Sequence, residues 1–131
     1  MQGYVNYPGG MIYQYKVPRL ISHKQVLLHL GEWSGTLLKV RVNGKEAGFH
    51  FEKKNCITDV TGLFENEENT LEIEISGSPR NMFGPFHQSY TGCSRISWAD
   101  FRTEGMFHTD GKVLKPYGMM GQSYICEYEE Q

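Results

Sequence analysis

The chain has 131 residues, 39% of them apolar and 13% aromatic, which is enough to bury a hydrophobic core without help from metals or disulfides. With 13 Lys and Arg against 15 Asp and Glu, charge is near balance, so nothing builds the basic field that nucleic acid or an anionic membrane would require. No apolar run approaches the ~20 residues of a spanning helix, and no charged-then-apolar leader opens the chain; Met1-Gln2-Gly3 reads as a cut end or a mature start.

Five segments alternate at the period of a half-buried strand. In Met11–Val17, Met11, Tyr13, Tyr15 and Val17 share one face. Val26, Leu28 and Leu30 do so in Gln25–Leu30, with His29 opposite. Leu38, Val40 and Val42 alternate with Lys39 and Arg41 in the third segment. Asn43-Gly44 follows as a hairpin signal, because both residues tolerate positive φ, and a strand should start again near Glu46–Phe49. Asn55–Val60 reads as a short strand running into Thr61-Gly62, where Thr61 is placed to cap one helical turn. Leu71, Ile73 and Ile75 oppose Glu72 and Glu74 in the strongest alternation. Near the end, Tyr124, Cys126 and Tyr128 share a face against Glu127 and Glu129. Several one-faced strands need a second layer, so the expected fold is all-β, an antiparallel β-sandwich spanning residues 1–131 as a single domain.

From Gly77 to Gly121 the alternation stops. Pro79, Pro85 and Pro116 fall here with a dense aromatic set: Phe83, Phe86, Tyr90, Trp98, Phe101, Phe107 and Tyr117. A connection this long is uncommon in a compact domain and is often functional. Ser97–Arg102 is expected to form a short helix.

Catalytic signatures are sparse. A glycosidase needs two carboxylates flanking the scissile bond. Glu65, Glu67 and Glu68 read as a solvated turn, and Glu72, Glu74, Glu127 and Glu129 as outward strand positions. His23, His29, His50, His87 and His108 show no i, i+4 pair, so no metal site is expected. Ser34 lacks the flanking glycines of a nucleophile elbow. Cys56, Cys93 and Cys126 are odd in number and form no C-x-x-C, and read as small buried hydrophobes or as one disulfide with a free thiol. A Cys93–His87 dyad is the one thiol chemistry the irregular segment could assemble.

Binding remains. Aromatic faces and planar polar side chains suit sugars, and Trp33, Arg80, Asn81, His87, Tyr90 and Trp98 are residues of that type. Each has a structural alternative: Trp98 could anchor a helix to the sandwich, Trp33 and Tyr90 could be loop anchors, and Arg80, Asn81 and His87 could satisfy local backbone.

Several runs together carry a resemblance. They are His29-Leu30-Gly31-Glu32-Trp33-Ser34-Gly35, Leu38-Lys39-Val40-Arg41-Val42-Asn43-Gly44-Lys45, Ile57-Thr58-Asp59-Val60-Thr61 and Glu68-Asn69-Thr70-Leu71-Glu72-Ile73-Glu74-Ile75. In this order they resemble the galactose-binding-like jelly-roll domains attached to large glycoside hydrolases of the β-galactosidase/β-glucuronidase clan. Gln2-Gly3-Tyr4 with Gly9–Tyr13 resembles the opening strand of those modules. Asn81-Met82-Phe83-Gly84-Pro85-Phe86-His87 resembles their N-x-x-G-P-H-H loop, and Tyr117–Gly121 their return into the last strand. Glu68 stands where glycine is usual, and Phe86 where the first loop histidine falls.

The resemblance implies a jelly roll with a long irregular insertion before the last strand. It also implies a non-catalytic accessory module of a secreted or periplasmic enzyme. The partners implied are the catalytic domain of the same parent chain and, in some members, carbohydrate. No cofactor is implied beyond the structural calcium of some members, for which few acidic residues cluster here. An independent carbohydrate-binding module is the alternative, and a small thiol or metal hydrolase a lesser one.

Overall fold

The computed structural model describes residues 6–20, 24–89 and 96–129, and within them the alternating segments are strands. They are β1 (Gly10–Pro18), β2 (Lys24–Leu30), β3 (Trp33–Ser34), β4 (Leu37–Val42), β5 (Lys45–His50), β6 (Cys56–Asp59), β7 (Glu68–Ser76), β8 (Gly118–Met119) and β9 (Tyr124–Glu129). All pair antiparallel, in a four-stranded sheet β1-β7-β4-β5, a three-stranded sheet β6-β2-β9 and a two-stranded ribbon β3-β8. The chain is an all-β sandwich. Its contacts divide it into two compact units: Gly10–Gly77 with Tyr117–Gln131, and Met1–Gly9 with Ser78–Pro116.

The first unit holds the sandwich. Leu38, Val40 and Val42 of β4 and Leu71, Ile73 and Ile75 of β7 form one inner face; Val26, Leu28 and Leu30 of β2 form the other. Phe64 and Val60, from the turn after β6, are also buried. Each such side chain contributes about 1.5–3 kcal/mol by leaving water. The Asn43-Gly44 turn has φ of 52° and 78°, the left-handed pair that a two-residue hairpin between β4 and β5 requires. On β1 the predicted face holds, since Met11, Tyr13, Tyr15 and Val17 sit opposite Ile75, Ile73, Leu71 and Asn69.

Two local expectations are corrected. Thr61 does not cap a helical turn: residues 61–62 form a plain turn, and the Thr61 hydroxyl accepts a hydrogen bond from Val26 N at 2.9 Å. The local capping duty falls to Asp59, whose Oδ1 accepts from Thr61 N at 2.9 Å. The second correction is the facing of β9. Directly opposed residues of an antiparallel pair share a face, and Ile125 lies opposite Leu28 while Tyr124 lies opposite His29. Ile125 therefore packs on the core, and Tyr124 and Tyr128 face outward, 57% and 44% exposed. Outside, Tyr124 stacks on His29 with ring centroids 4.8 Å apart, and the Tyr128 hydroxyl lies 3.4 Å from His29 Nε2.

In the second unit the irregular stretch contains a short helix, α1 (Arg80–Phe83), and a 3-10 turn at Trp98–Phe101, inside the segment predicted to be helical. Ser97 N donates to Asp100 Oδ2 at 2.6 Å, which closes that turn. Residues 86–89 run beside 107–113 through Ser89 N to Phe107 O, Thr109 N to His87 O and Val113 N to Phe86 O.

Candidate functional site

The described candidates for sugar contact, Trp33, Arg80, Asn81, His87 and Trp98, differ in their local surroundings. Asn81 is buried on α1; its Nδ2 donates to Lys115 O at 2.7 Å and its Oδ1 accepts from Lys115 N at 2.8 Å. Both ends of the amide are thus engaged by backbone, which is the structural alternative for this residue. Arg80 beside it is half-buried, with Nη1 enclosed and lacking a hydrogen-bond partner. His87 is exposed, with Nδ1 3.0 Å from Thr109 O and its ring 5.9 Å from that of His108. Trp98 is 78% exposed, so it does not anchor the 3-10 turn to a core; its ring contact is the Arg102 guanidinium, 5.0 Å from the centroid. Tyr90 and Cys93 lie outside the described residues, so the Cys93–His87 dyad does too.

Trp33 lies in the sandwich unit and is 2% exposed. Lys53 Nζ sits 3.7 Å from its ring centroid, and its Nε1 is buried without a partner. It therefore acts as a core anchor and leaves no open face for a sugar ring.

Several large apolar side chains of the 78–116 stretch stand in water among the described residues. Met106, Trp98, Phe83 and Phe101 are 87%, 78%, 69% and 57% exposed. Among the described residues, every member of the buried hydrophobic core falls between Val26 and Ile75. Exposed apolar side chains also occur on the sandwich, Phe51 at 64% and Ile12 at 58% among them, and such residues mark a binding surface where they gather into one patch. The aromatic density was legible in the sequence; its exposure was not, because strandless aromatics are as often internal plugs.

The sandwich unit holds two further features. On the side where β5 meets β6 the two sheets close; on the other, β1 and β9 are both sheet edges and the layers part. A cleft of about 650 Å³ opens there, lined by buried Leu28, Leu71 and Ile73 and by exposed Tyr15, Lys16 and Tyr124. Sequence reasoning missed it because it put Tyr124 on the inner face.

At the closed side, the donor atoms of His50, Glu52 and Cys56 lie within 4.8 Å of one another. Gly48 permits the approach of the sheets here, since a Cβ at this position would stand 3.1 Å from Thr58 Cγ2. The Thr58 hydroxyl is 2.7 Å from His50 Nε2. Burial holds the His50 pKa below its ordinary value, against a smaller opposing pull from the Glu52 carboxylate. Cys56 is 4% exposed, and its thiol lies 3.2 Å from Glu52 O and 3.7 Å from Lys54 O. The sequence signal was H-x-E-x3-C across a strand end and the next strand start, which matches no helical ligand spacing.

No protein-family model and no curated protein matches the chain. Among solved structures it is similar to part of the rhamnosidase from Novosphingobium sp. PP1Y, with 22% identity and a TM-score of 0.61 over 92% of this chain and 11% of that one. It is also similar to part of the Bacteroides uniformis beta-glucuronidase, with 24% identity and a TM-score of 0.50 over 65% of this chain and 10% of that one. A third similarity is to the Bifidobacterium dentium beta-glucuronidase, with 21% identity and a TM-score of 0.49 over 55% of this chain and 12% of that one. At these identities the likeness is one of fold. The chain spans only about a tenth of the glycoside hydrolases it is similar to.

Proposed function

We propose that residues 1–131 form one non-catalytic accessory module of a larger glycoside hydrolase. In this reading it is a jelly roll of the galactose-binding-like type that packs on the catalytic domain of the same parent chain. The supporting observation is the exposed set Phe83, Trp98, Phe101 and Met106 on a stretch whose described residues add none to the buried hydrophobic core. Such a surface gains most by burial against a second body, at about 25 cal/mol per Å² of apolar area. The fold likeness to small parts of glycoside hydrolases agrees with this reading, as does the motif order of the sandwich strands.

The test begins with the reading frame on either side, where a barrel with paired glutamates is expected. The 131-residue chain is then mixed with the remainder of that protein. Association is expected, and Trp98→Ala with Phe101→Ala should weaken it at least tenfold. Flanking stop codons, or no association, would remove the proposal.

A second reading, direct carbohydrate binding, is favoured by the open indole of Trp98 beside Arg102. Calorimetric titration with galactosides, glucuronides, rhamnosides and polysaccharides distinguishes it. Silence at millimolar ligand ends it, and heat that vanishes in Trp98→Ala establishes it.

A further inference from the structure

We propose that His50, Glu52 and Cys56 form a zinc site that clasps the two sheets of the sandwich together. This inference does not depend on the accessory-module reading. His50 ends β5, the edge strand of the four-stranded sheet, and Cys56 begins β6, the edge strand of the three-stranded sheet. Only five residues separate them, so a short loop delivers a nitrogen, an oxygen and a sulfur donor to one place from two layers.

The donor set selects the metal. Thiolate with imidazole and carboxylate suits borderline-soft Zn²⁺, whereas Ca²⁺ and Mg²⁺ require oxygen donors throughout. Zinc holds such ligands at about 2.0–2.3 Å, which places neighbouring donor atoms about 3.3–3.7 Å apart in a tetrahedron. The present limit of 4.8 Å must therefore contract by about an ångström. Glu52 can supply that movement because its side chain is exposed, while buried Cys56 provides the fixed point. Three protein ligands leave a fourth position for water.

The surroundings fit. Thr58, 4% exposed, lies 2.7 Å from His50 Nε2; in the tautomer that donates Nε2–H to this hydroxyl, the Nδ1 lone pair is the donor to a metal. Zinc-bound histidines characteristically have their other ring nitrogen fixed by such a partner. The two lysines between Glu52 and Cys56 have side-chain partners of their own, although Lys53 still feels the charge of Cys56 and offsets part of the attraction for a bound cation. Lys53 Nζ lies over the Trp33 ring and donates to Gly35 O at 2.5 Å; Lys54 pairs with Glu32 at 2.8 Å. Binding replaces the Cys56 S–H bond with an S–Zn bond. The proton leaves to solvent, and the weak thiol contacts to Glu52 O and Lys54 O are given up.

The test uses the 131-residue chain after chelator treatment. Calorimetric titration with zinc chloride should give one equivalent bound and a raised melting temperature. His50→Gln and Cys56→Ala should each weaken binding at least tenfold, and Thr58→Val by about tenfold through loss of the orienting partner. Cobalt should produce a thiolate charge-transfer band that persists in Cys126→Ala and disappears in Cys56→Ala. Should Cys56→Ala fail to fold, His50→Gln and Glu52→Gln carry the decision, since neither removes a core side chain. No binding at millimolar zinc, or binding unchanged in His50→Gln and Glu52→Gln, overturns the proposal.

Discussion

Asn69 is fully enclosed, and a buried amide is tolerated only where its donors and acceptor are met. Its Oδ1 accepts from Asn66 N at 3.1 Å and from Asn43 Nδ2 at 2.8 Å, while its Nδ2 donates to Asn66 O at 2.8 Å. Asn43 Oδ1 in turn accepts from Thr70 N at 2.9 Å. The hairpin residue after β4 and the start of the neighbouring strand β7 therefore hold one another. Asn69→Ala leaves several of these groups unpaired, and should lower the unfolding free energy by about 3 kcal/mol, read from urea midpoints. An effect below about 0.5 kcal/mol would mean that water replaces the amide at little cost.

Asp59 allows a prediction against pH. The hydrogen bonds from the Thr61 side chain and backbone hold its carboxyl below the ordinary value of 3.8. A carboxyl depressed on folding contributes stability that is complete above its unfolded value. That stability is lost as pH falls through the folded value, because the unfolded chain takes up the proton first. Asp59→Asn should therefore melt slightly lower than the parent at neutral pH, with the two melting temperatures converging below pH 3.8. Since the side chain is almost wholly solvated, the gap should be small; a gap that widens toward acid would contradict the assignment.

At the scale of elements, strands with a buried face were legible and edge positions were not. β2, β4 and β7 read correctly because Leu28, Val40 and Ile73 each face a packed layer, so alternation and burial coincide. β9 misled because its sequence carries bulky residues at Tyr124 and Tyr128 and charges between them. As the edge of its sheet it needs little burial, and register with β2, not bulk, decides its facing. The strand at Trp33, taken in the sequence for a loop position, was hidden for a related reason: its two residues are completed by Gly118 and Met119, which no local pattern announces. The cluster of His50, Glu52 and Cys56 stayed hidden because the loop brings His50 and Cys56 together only once both sheets exist. The facing of β9 can be tested. Ile125→Ala should cost about 1–2 kcal/mol by removing a partly buried branched side chain, and Tyr128→Ala less than about 1 kcal/mol. The opposite order would restore the facing that bulk suggests.

For the whole molecule, the uneven distribution of the core is the fact with most consequence. The sandwich unit owns every fully buried hydrophobic residue among those described, whereas the described part of the 78–116 stretch is held mainly by hydrogen bonds, from backbone and from side chains such as Asn81, His87 and Asp100. Local opening free energy follows buried contact, so the two parts should differ in hydrogen exchange even though one chain carries both. Amides of β2, β4 and β7 should exchange slowest, near the global unfolding limit, and those of residues 96–113 faster by at least two orders of magnitude. If the apolar surface of that stretch is completed by a catalytic domain, adding the domain should slow exchange around Trp98 and Phe101 while leaving β4 unchanged. Equal protection of both regions in the isolated chain would mean that the aromatic stretch supports itself. Its exposed rings would then need no partner to account for its stability.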